Sequence, residues 1–133
     1  MRISSTLTNA MKVAASGLNV ERFRMDVISS NIANASSTGL KGQPPYRRRD
    51  VVIAGGPNGV AVTGIREDQK PFRIEYDPSN PNADKDGNVL YTNIEPIQEM
   101  VDMIGASRAY EANIASFNSA KGMIRSALNI GKV

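Results

Sequence analysis

Cysteine, histidine and tryptophan are absent from this chain of 133 residues, and aromatic residues make up only 5% of it. Without cysteine or histidine, the chain cannot form disulfides, thiolate or imidazole metal sites, or Cys–His and Ser–His catalytic pairs. Phosphate-binding loops of the G-x-x-x-x-G-K and G-x-G-x-x-G types are also missing. The sequence therefore predicts no catalytic, cofactor-binding or metal-binding residues.

Long apolar runs are absent as well. No segment approaches the roughly 20 apolar residues that a membrane span requires. The first six residues, Met-Arg-Ile-Ser-Ser-Thr, lack the apolar core of a cleavable signal peptide. We therefore expect a chain that does not span a membrane and does not use the general secretory route.

Charge is unevenly distributed. Residues 1–49 carry eight basic and two acidic side chains. Residues 50–105 carry four basic and ten acidic side chains, and residues 106–133 carry four basic and one acidic. Basic ends around an acidic middle favour contacts between subunits. Nucleic-acid binding is the competing interpretation of the basic start, but no aromatic platform or known motif accompanies the charges.

The last forty residues contain one stripe at spacings of three and four: Met100, Met103, Ser107, Tyr110, Ile114, Phe117, Lys121, Ile124 and Leu128. This period predicts a helix that faces another helix. Beside it runs a second stripe of mostly small residues: Ala106, Ala109, Asn113, Ser116, Ala120, Met123, Ala127 and Ile130. A helix of about 35 residues would be roughly 50 Å long. Two contact faces on so long a helix indicate a subunit of an assembly.

Residues 4–35 have a similar pattern and predict a first helix, with the stripe Leu7, Met11, Ala14, Leu18, Met25, Ile28, Ile32 and Ala35. Gly17 lies inside this helix, where glycine costs about 1 kcal/mol relative to alanine. It therefore predicts a place of close packing. Asn31 and Asn34 lie one turn apart. They indicate either the end of the helix or buried amides that fix the register of packed helices.

Between the helices the pattern predicts a small β unit. Tyr46–Ile53 and Val60–Ile65 are β-rich runs joined by a hairpin turn with an Asn-Gly pair at residues 58 and 59. Phe72–Tyr76 and Asn88–Tyr91 predict two further short strands. Residues 92–95, Thr-Asn-Ile-Glu, match a capping box before the second helix. The expected class is α+β, with long terminal helices forming a coiled-coil-like layer and a small inserted β unit.

Two polar segments have plain interpretations. Residues 82–87, Asn-Ala-Asp-Lys-Asp-Gly, resemble the start of a calcium loop. Position 12 of that loop is Asn93, however, where a bidentate glutamate is required, so a turn is the better interpretation. Arg47, Arg48 and Arg49 begin a strand and predict a solvated or interface surface, not a phosphate site.

Two segments together resemble the family of bacterial flagellar rod, hook and hook–filament junction proteins. They are Ser16–Leu18 with Arg22–Asn34, which contains Ser-Ser-Asn-Ile-Ala-Asn, and Glu99–Asn113, which contains Ser-Arg-Ala-Tyr-Glu-Ala-Asn. The short chain length, Pro45–Arg48 and Tyr76–Asp84 resemble the proximal-rod members of that family. The resemblance covers essentially the whole chain.

The resemblance implies a structural subunit whose terminal helices pack in the inner layer of the rod, while the middle segment forms an outer domain. The division is 1–35, 36–93 and 94–133. It implies export by the flagellar type III apparatus without a cleaved signal, a place in the rod within the periplasmic space, and contacts with other rod proteins and copies of itself. The residues predicted to contact other subunits are Leu18, Met25, Ile28, Asn31, Ile32, Asn34, Met100, Met103, Arg108, Tyr110, Asn113, Ile114, Phe117, Ile124 and Leu128.

The residues alone leave one alternative open, namely a helical-armed adaptor or chaperone-like binding protein. Polymerisation with other rod components distinguishes a rod subunit from such an adaptor, which forms a defined soluble heterodimer. An enzyme that acts through carboxylates has no supporting feature.

We predict that the chain requires no metal, because the segment from Asn82 to Asn93 lacks the carboxylate that completes a calcium site. Calorimetric titration of the full chain with calcium is expected to show no binding tighter than about millimolar, the weak end of such loops. Submillimolar binding would contradict this.

Overall fold

A computed structural model describes residues 2–40 and 42–131, with side chains described from residue 5 onward. In chain order the elements are α1 (Arg2–Ala33), β1 (Arg49–Gly56), β2 (Gly59–Glu67), β3 (Arg73–Tyr76), β4 (Asn88–Tyr91) and α2 (Pro96–Ile130). The predicted α+β class is confirmed, with two long terminal helices around a small β region. The predicted segments also include residues 1, 41, 132 and 133, which lie outside the described residues.

The two helices form an antiparallel pair. Asn31 of α1 contacts Glu99 at the start of α2, and Gly17 faces Asn113 farther along α2. A Cβ atom built on Gly17 would lie 2.7–2.9 Å from the amide group of Asn113, so the predicted close packing at this glycine is confirmed. The two contacts are 14 residues apart on each helix, which corresponds to two heptads.

The β1–β2 hairpin lies along α1. β1 begins beside Asn31, where the Asn31 side chain binds the backbone of Arg49. At the other end, the Val60 amide donates a 3.0 Å hydrogen bond to Ser16 Oγ. The 15 residues of α1 from Ser16 to Asn31 span about 22 Å, and so do the seven strand residues between the same two contacts. The hairpin therefore follows the helix over this length. Val52 pairs with Gly64 and Ile53 with Val62, which leaves Thr63 as the extra residue of a bulge.

β3 and β4 form a separate antiparallel sheet near the start of α2. The segment after α1 extends this sheet, because Thr38 pairs with Tyr91 and the Gly39 amide donates to the Leu90 carbonyl. Val89 is fully buried on the inner face. The outer face carries Leu90 and its register partner Ile74, both exposed.

All four predicted strands are present, but only β4 has the predicted bounds, since both ends of β1 and β2 and the start of β3 differ by one to three residues. β1 begins at Arg49 and not at Tyr46, because the Arg48 amide binds the side chain of Asn93 and not a strand. The capping box is also wrong. Glu95 is the N-cap and makes no side-chain capping bond, since the Thr92 amide instead donates to the Ser37 carbonyl beside the sheet.

The segment that resembled a calcium loop is organised as a turn. Asp84 Oδ1 accepts hydrogen bonds from the amides of Asp86 and Asn88, at 2.9 and 2.8 Å. Gly87 has a φ of +81°, and a Cβ atom there would lie 2.8 Å from the Tyr76 ring. Among residues 2–40 and 42–131, no three acidic side chains are grouped so as to hold a metal ion.

We expect Gly59→Ala to destabilise the fold by about 1–3 kcal/mol, because a left-handed backbone costs a non-glycine residue roughly this much. Gly59 has a φ of +119°, and its added Cβ would also collide with Ser16 Oγ. Gly64→Ala on the same strand is the control, since nothing lies within 4 Å of its Cβ position. Chemical denaturation of both variants measures the difference. Equal stability of the two would contradict the packing of this turn against α1.

Candidate subunit interface

Asn31 connects three elements through one side chain. Its Nδ2 donates to the Arg49 carbonyl at 2.8 Å and to Glu99 Oε2 at 2.9 Å. Its Oδ1 accepts from the Arg49 amide at 3.1 Å and from the Tyr46 hydroxyl at 3.3 Å. An asparagine side chain has two N–H donors and two lone pairs, so its full bonding capacity is used while the residue is completely buried.

Glu99 is a buried carboxylate in the first turn of α2, with no exposed surface. Its second oxygen, Oε1, accepts a 2.6 Å hydrogen bond from Nε of Arg48. The Arg48 guanidinium also reaches Asp102 Oδ2 at 3.4 Å. Burial alone would lower the pKa of Arg48, but the hydrogen bond and charge of Glu99, together with the charges of Asp50 and Asp102, outweigh it and raise the pKa above its ordinary value. We call Asn31, Tyr46, Arg48, Glu99 and Asp102 the buried network.

The arginine run therefore serves the chain's own fold to a greater extent than predicted. Beside Arg48, the Arg47 guanidinium lies 4.1 Å from the centre of the Phe72 ring. It donates to the carbonyls of Asp68 and Lys70, both at 2.9 Å. These contacts fix the segment between β2 and β3 against the base of the hairpin. The interpretation of the whole run as a solvated or interface surface is wrong for Arg47 and Arg48.

Asn31 and Asn34 each fit one of the two predicted roles, a buried amide that fixes register and a helix end. Asn31 is the buried amide that fixes register. Asn34 follows the last residue of α1, and its Nδ2 donates to the Ser30 carbonyl at 2.8 Å, which is typical of a helix end. A tertiary partner such as Glu99, 68 residues away in sequence, gives no local signal that could have decided between these roles.

The predicted stripe on α2 separates into rows with a spacing of seven residues. The row nearest α1 consists of Glu99, Ala106, Asn113 and Ala120, and all but Asn113 are buried. The next row, Met103, Tyr110, Phe117 and Ile124, is half-buried. The outer row, Met100, Ile114 and Leu128, is exposed. The small-residue stripe thus supplies most of the innermost row, and the large apolar side chains lie farther out, where they are half-buried or exposed.

The remaining predicted contact residues also differ in exposure. Ile28 and Asn31 are buried within the chain, Leu18, Met25, Ile32 and Asn34 are half-buried, and Arg108 is exposed. Ile97, Val101 and Ile104 lie outside the predicted list and are all exposed on the first turns of α2. Their spacing of four and three is the sequence signal for this exposed apolar face.

We expect Glu99→Gln to destabilise the chain by about 3 kcal/mol, since it removes one charge of a buried ion pair and leaves Arg48 incompletely neutralised. Glu75→Gln is the matched control. Glu75 pairs with Arg73 at 2.9 Å, but both side chains are about half exposed, so the expected cost is below about 1 kcal/mol. Urea denaturation of the two full-length variants gives the comparison. Similar losses would show that the buried network does not control stability.

Two family models match the chain. One, described as flagella basal body rod protein, matches residues 11–41. The other, described as flagellar basal body rod FlgEFG protein C-terminal, matches residues 85–130. These segments hold most of α1 and all of α2, together with the side chains of Asn31 and Glu99. No helix among the described residues combines the length and apolar character needed to cross a membrane.

Curated relatives resemble the chain over nearly its full length. The flagellar basal-body rod protein FlgC of Borreliella burgdorferi is 41% identical over 93% of this chain and 97% of its own. FlgC of Salmonella typhimurium is 40% identical over 95% and 98%, and that of Bacillus subtilis is 39% identical over 96% and 99%. These relatives are structural rod proteins, and none of the comparisons supports the adaptor hypothesis. The chain is a structural subunit of the flagellar basal-body rod and belongs to the FlgC family.

Proposed function

We propose that this rod subunit assembles through the outer surface of its helix pair, and that the two β sheets form a separate outer part. The observation that carries this proposal is the outer row of α2, where Met100, Ile114 and Leu128 are exposed at intervals of 14 residues. Ser107 and Lys121 stand between them in the same row. Large apolar side chains that recur on one exposed face of a long helix are typical of a surface that packs against another helix.

The half-buried row supports the same proposal. Met103, Tyr110, Phe117 and Ile124 lie between the inner and outer rows, so a neighbouring helix that covered the outer row would complete their burial. On α1, Leu18, Met25 and Ile32 are half-buried in the same way. The proposed surface also includes Arg108, which is exposed, and Asn34, which is half-buried. Ile28 and Asn31 support it from inside, because they are buried within the chain.

The buried network suits a subunit that transmits torque. It joins α1, β1 and α2 through hydrogen bonds between charged or amide groups. Such bonds are directional, so the helix pair and the hairpin would move as one unit. This arrangement fixes the outer part of the subunit relative to the helices that form its assembly surface.

The proposal includes the chain's environment and partners. We place it in the rod within the periplasmic space, exported by the flagellar type III apparatus without a cleaved signal, with other rod proteins and its own copies as neighbours. The three segments 1–35, 36–93 and 94–133 serve as inner helix, outer β part and inner helix. The subunit is not an enzyme in this proposal and does not bind nucleic acid. The support is its resemblance to structural rod proteins.

We expect Ile114→Asp to abolish rod assembly while the isolated chain still folds. Ile114 is 38% exposed in the chain, so aspartate can remain hydrated in the monomer. On assembly its charge would be buried without a partner, which costs several kcal/mol. Motility and the presence of the chain in purified basal bodies measure assembly, and thermal unfolding of the full chain measures folding.

Ile53→Asp is the matched control, because Ile53 on the hairpin is 40% exposed and undergoes the same chemical change. Its variant is expected to enter basal bodies. Normal motility of the Ile114→Asp strain would contradict the proposed surface. Loss of monomer folding in Ile114→Asp would show instead that this side chain acts within its own chain.

A further inference from the structure

The outer face of the β3–β4 sheet carries an open, apolar depression of about 620 Å³. Its apolar lining includes Leu40, Ile74 and Leu90, and Ile74 is 65% exposed. Ile74 and Leu90 are register partners on adjacent strands, so their side chains lie side by side. The charged residues of its lining are Asp84 and Lys85, and Asp86 follows them in the same loop. Neither the helix pair nor the hairpin covers this face.

The segment that forms the β3–β4 sheet has a negative net charge. Residues 71–95, which contain β3, β4 and their loop, have five acidic and two basic side chains. Asp84 and Asp86 are exposed and form no ion pair with another described residue. Asp84 Oδ1 accepts hydrogen bonds from two loop amides, and the Asp84 side chain remains exposed to solvent. The depression therefore suits a cationic partner with apolar side chains.

The opposite end of the helix pair has this chemistry. Because the helices are antiparallel, residues 2–20 and 112–131 lie at one end, and together they contain four basic residues and no acidic ones. The described part of α2 there exposes Lys121, Arg125 and Leu128 on one face of the helix, and Leu128 is 63% exposed. We call residues 112–131 the cationic helical end.

A chain cannot place this end in its own depression. β4 lies just before the first turn of α2, whereas the cationic helical end lies at the far end of a helix of 35 residues, about 50 Å away. A contact between the two surfaces must therefore join different subunits. A contact between unlike surfaces is heterologous, and repetition of such a contact builds helical assemblies.

We propose that the depression lined by Leu40, Ile74 and Leu90 receives the cationic helical end of a neighbouring rod subunit. This rests on the proposed function. Charge complementarity and exposed apolar side chains on both surfaces identify the occupant. The family model described as flagellar basal body rod FlgEFG protein C-terminal matches this chain through residue 130. Because that model covers several rod proteins, a neighbouring rod subunit carries a segment similar to this end. Exposed Leu128 fills the depression, while Lys121 and Arg125, which lie on the same face of the helix at spacings of four and three, face Asp84 and Asp86.

The test uses a photo-crosslinking benzophenone amino acid in place of Leu90 in the full chain, with irradiation of purified basal bodies. The expected adduct joins residue 90 to a peptide from the cationic helical end of a rod subunit, as identified by mass spectrometry. The same amino acid at Thr63, which is exposed on the hairpin, is the control and gives no such adduct. An adduct from another segment, or none in basal bodies that contain the chain, overturns the inference.

A charge variant tests the recognition itself. Asp84→Asn with Asp86→Lys keeps the side-chain oxygen that binds the loop amides and removes the two carboxylates of the loop beside the depression. It should lower the adduct yield about tenfold at equal incorporation. Asp50→Asn with Glu67→Lys makes the same charge change on the hairpin and should leave the yield within about twofold. Equal losses in both variants overturn the inference. Absence of the unmodified chain from basal bodies contradicts the proposed function instead.

Discussion

The carboxylate of Glu99 constrains the structure around it more than any other group. A buried charge costs several kcal/mol unless it is paired and hydrogen-bonded, and Glu99 has no exposed surface. Its two oxygens are bound by Asn31 from α1 and Arg48 from the start of the hairpin. The end of the first helix, the entry into β1 and the first turn of α2 must therefore meet at one point.

This interaction is better understood as a source of specificity than of net stability. An apolar cluster of the same volume could be equally stable, but it would allow the helices to slide and rotate. The full set of hydrogen bonds at Asn31 allows one register. The contact of Gly17 with Asn113, two heptads away, holds the same register farther along the pair. The small inner row between these points permits the close approach on which both contacts depend.

The sequence was most informative where local chemistry decides the structure. Helical periodicity located α1 and α2, Gly17 indicated close packing, and the bounds of β4 were predicted as Asn88–Tyr91 and observed so. It was least informative where distant residues compete for the same group. The Arg48 amide binds the side chain of Asn93, 45 residues away, which delays the start of β1. Nor could periodicity show which of two stripes on α2 would face α1, since an intrachain and an interchain partner require the same spacing.

The choice between these two stripes has a physical consequence for an assembling subunit. Alanines in the inner row bury little apolar surface, whereas a large aliphatic side chain contributes about 1.5–3 kcal/mol when it is fully buried. Ile97, Met100, Val101, Ile104 and Leu128 all remain exposed in the single chain. In the proposed assembly, burial of these side chains by another subunit would add hydrophobic stabilisation that the single chain does not gain. That gain would favour assembly over the monomer without any covalent change.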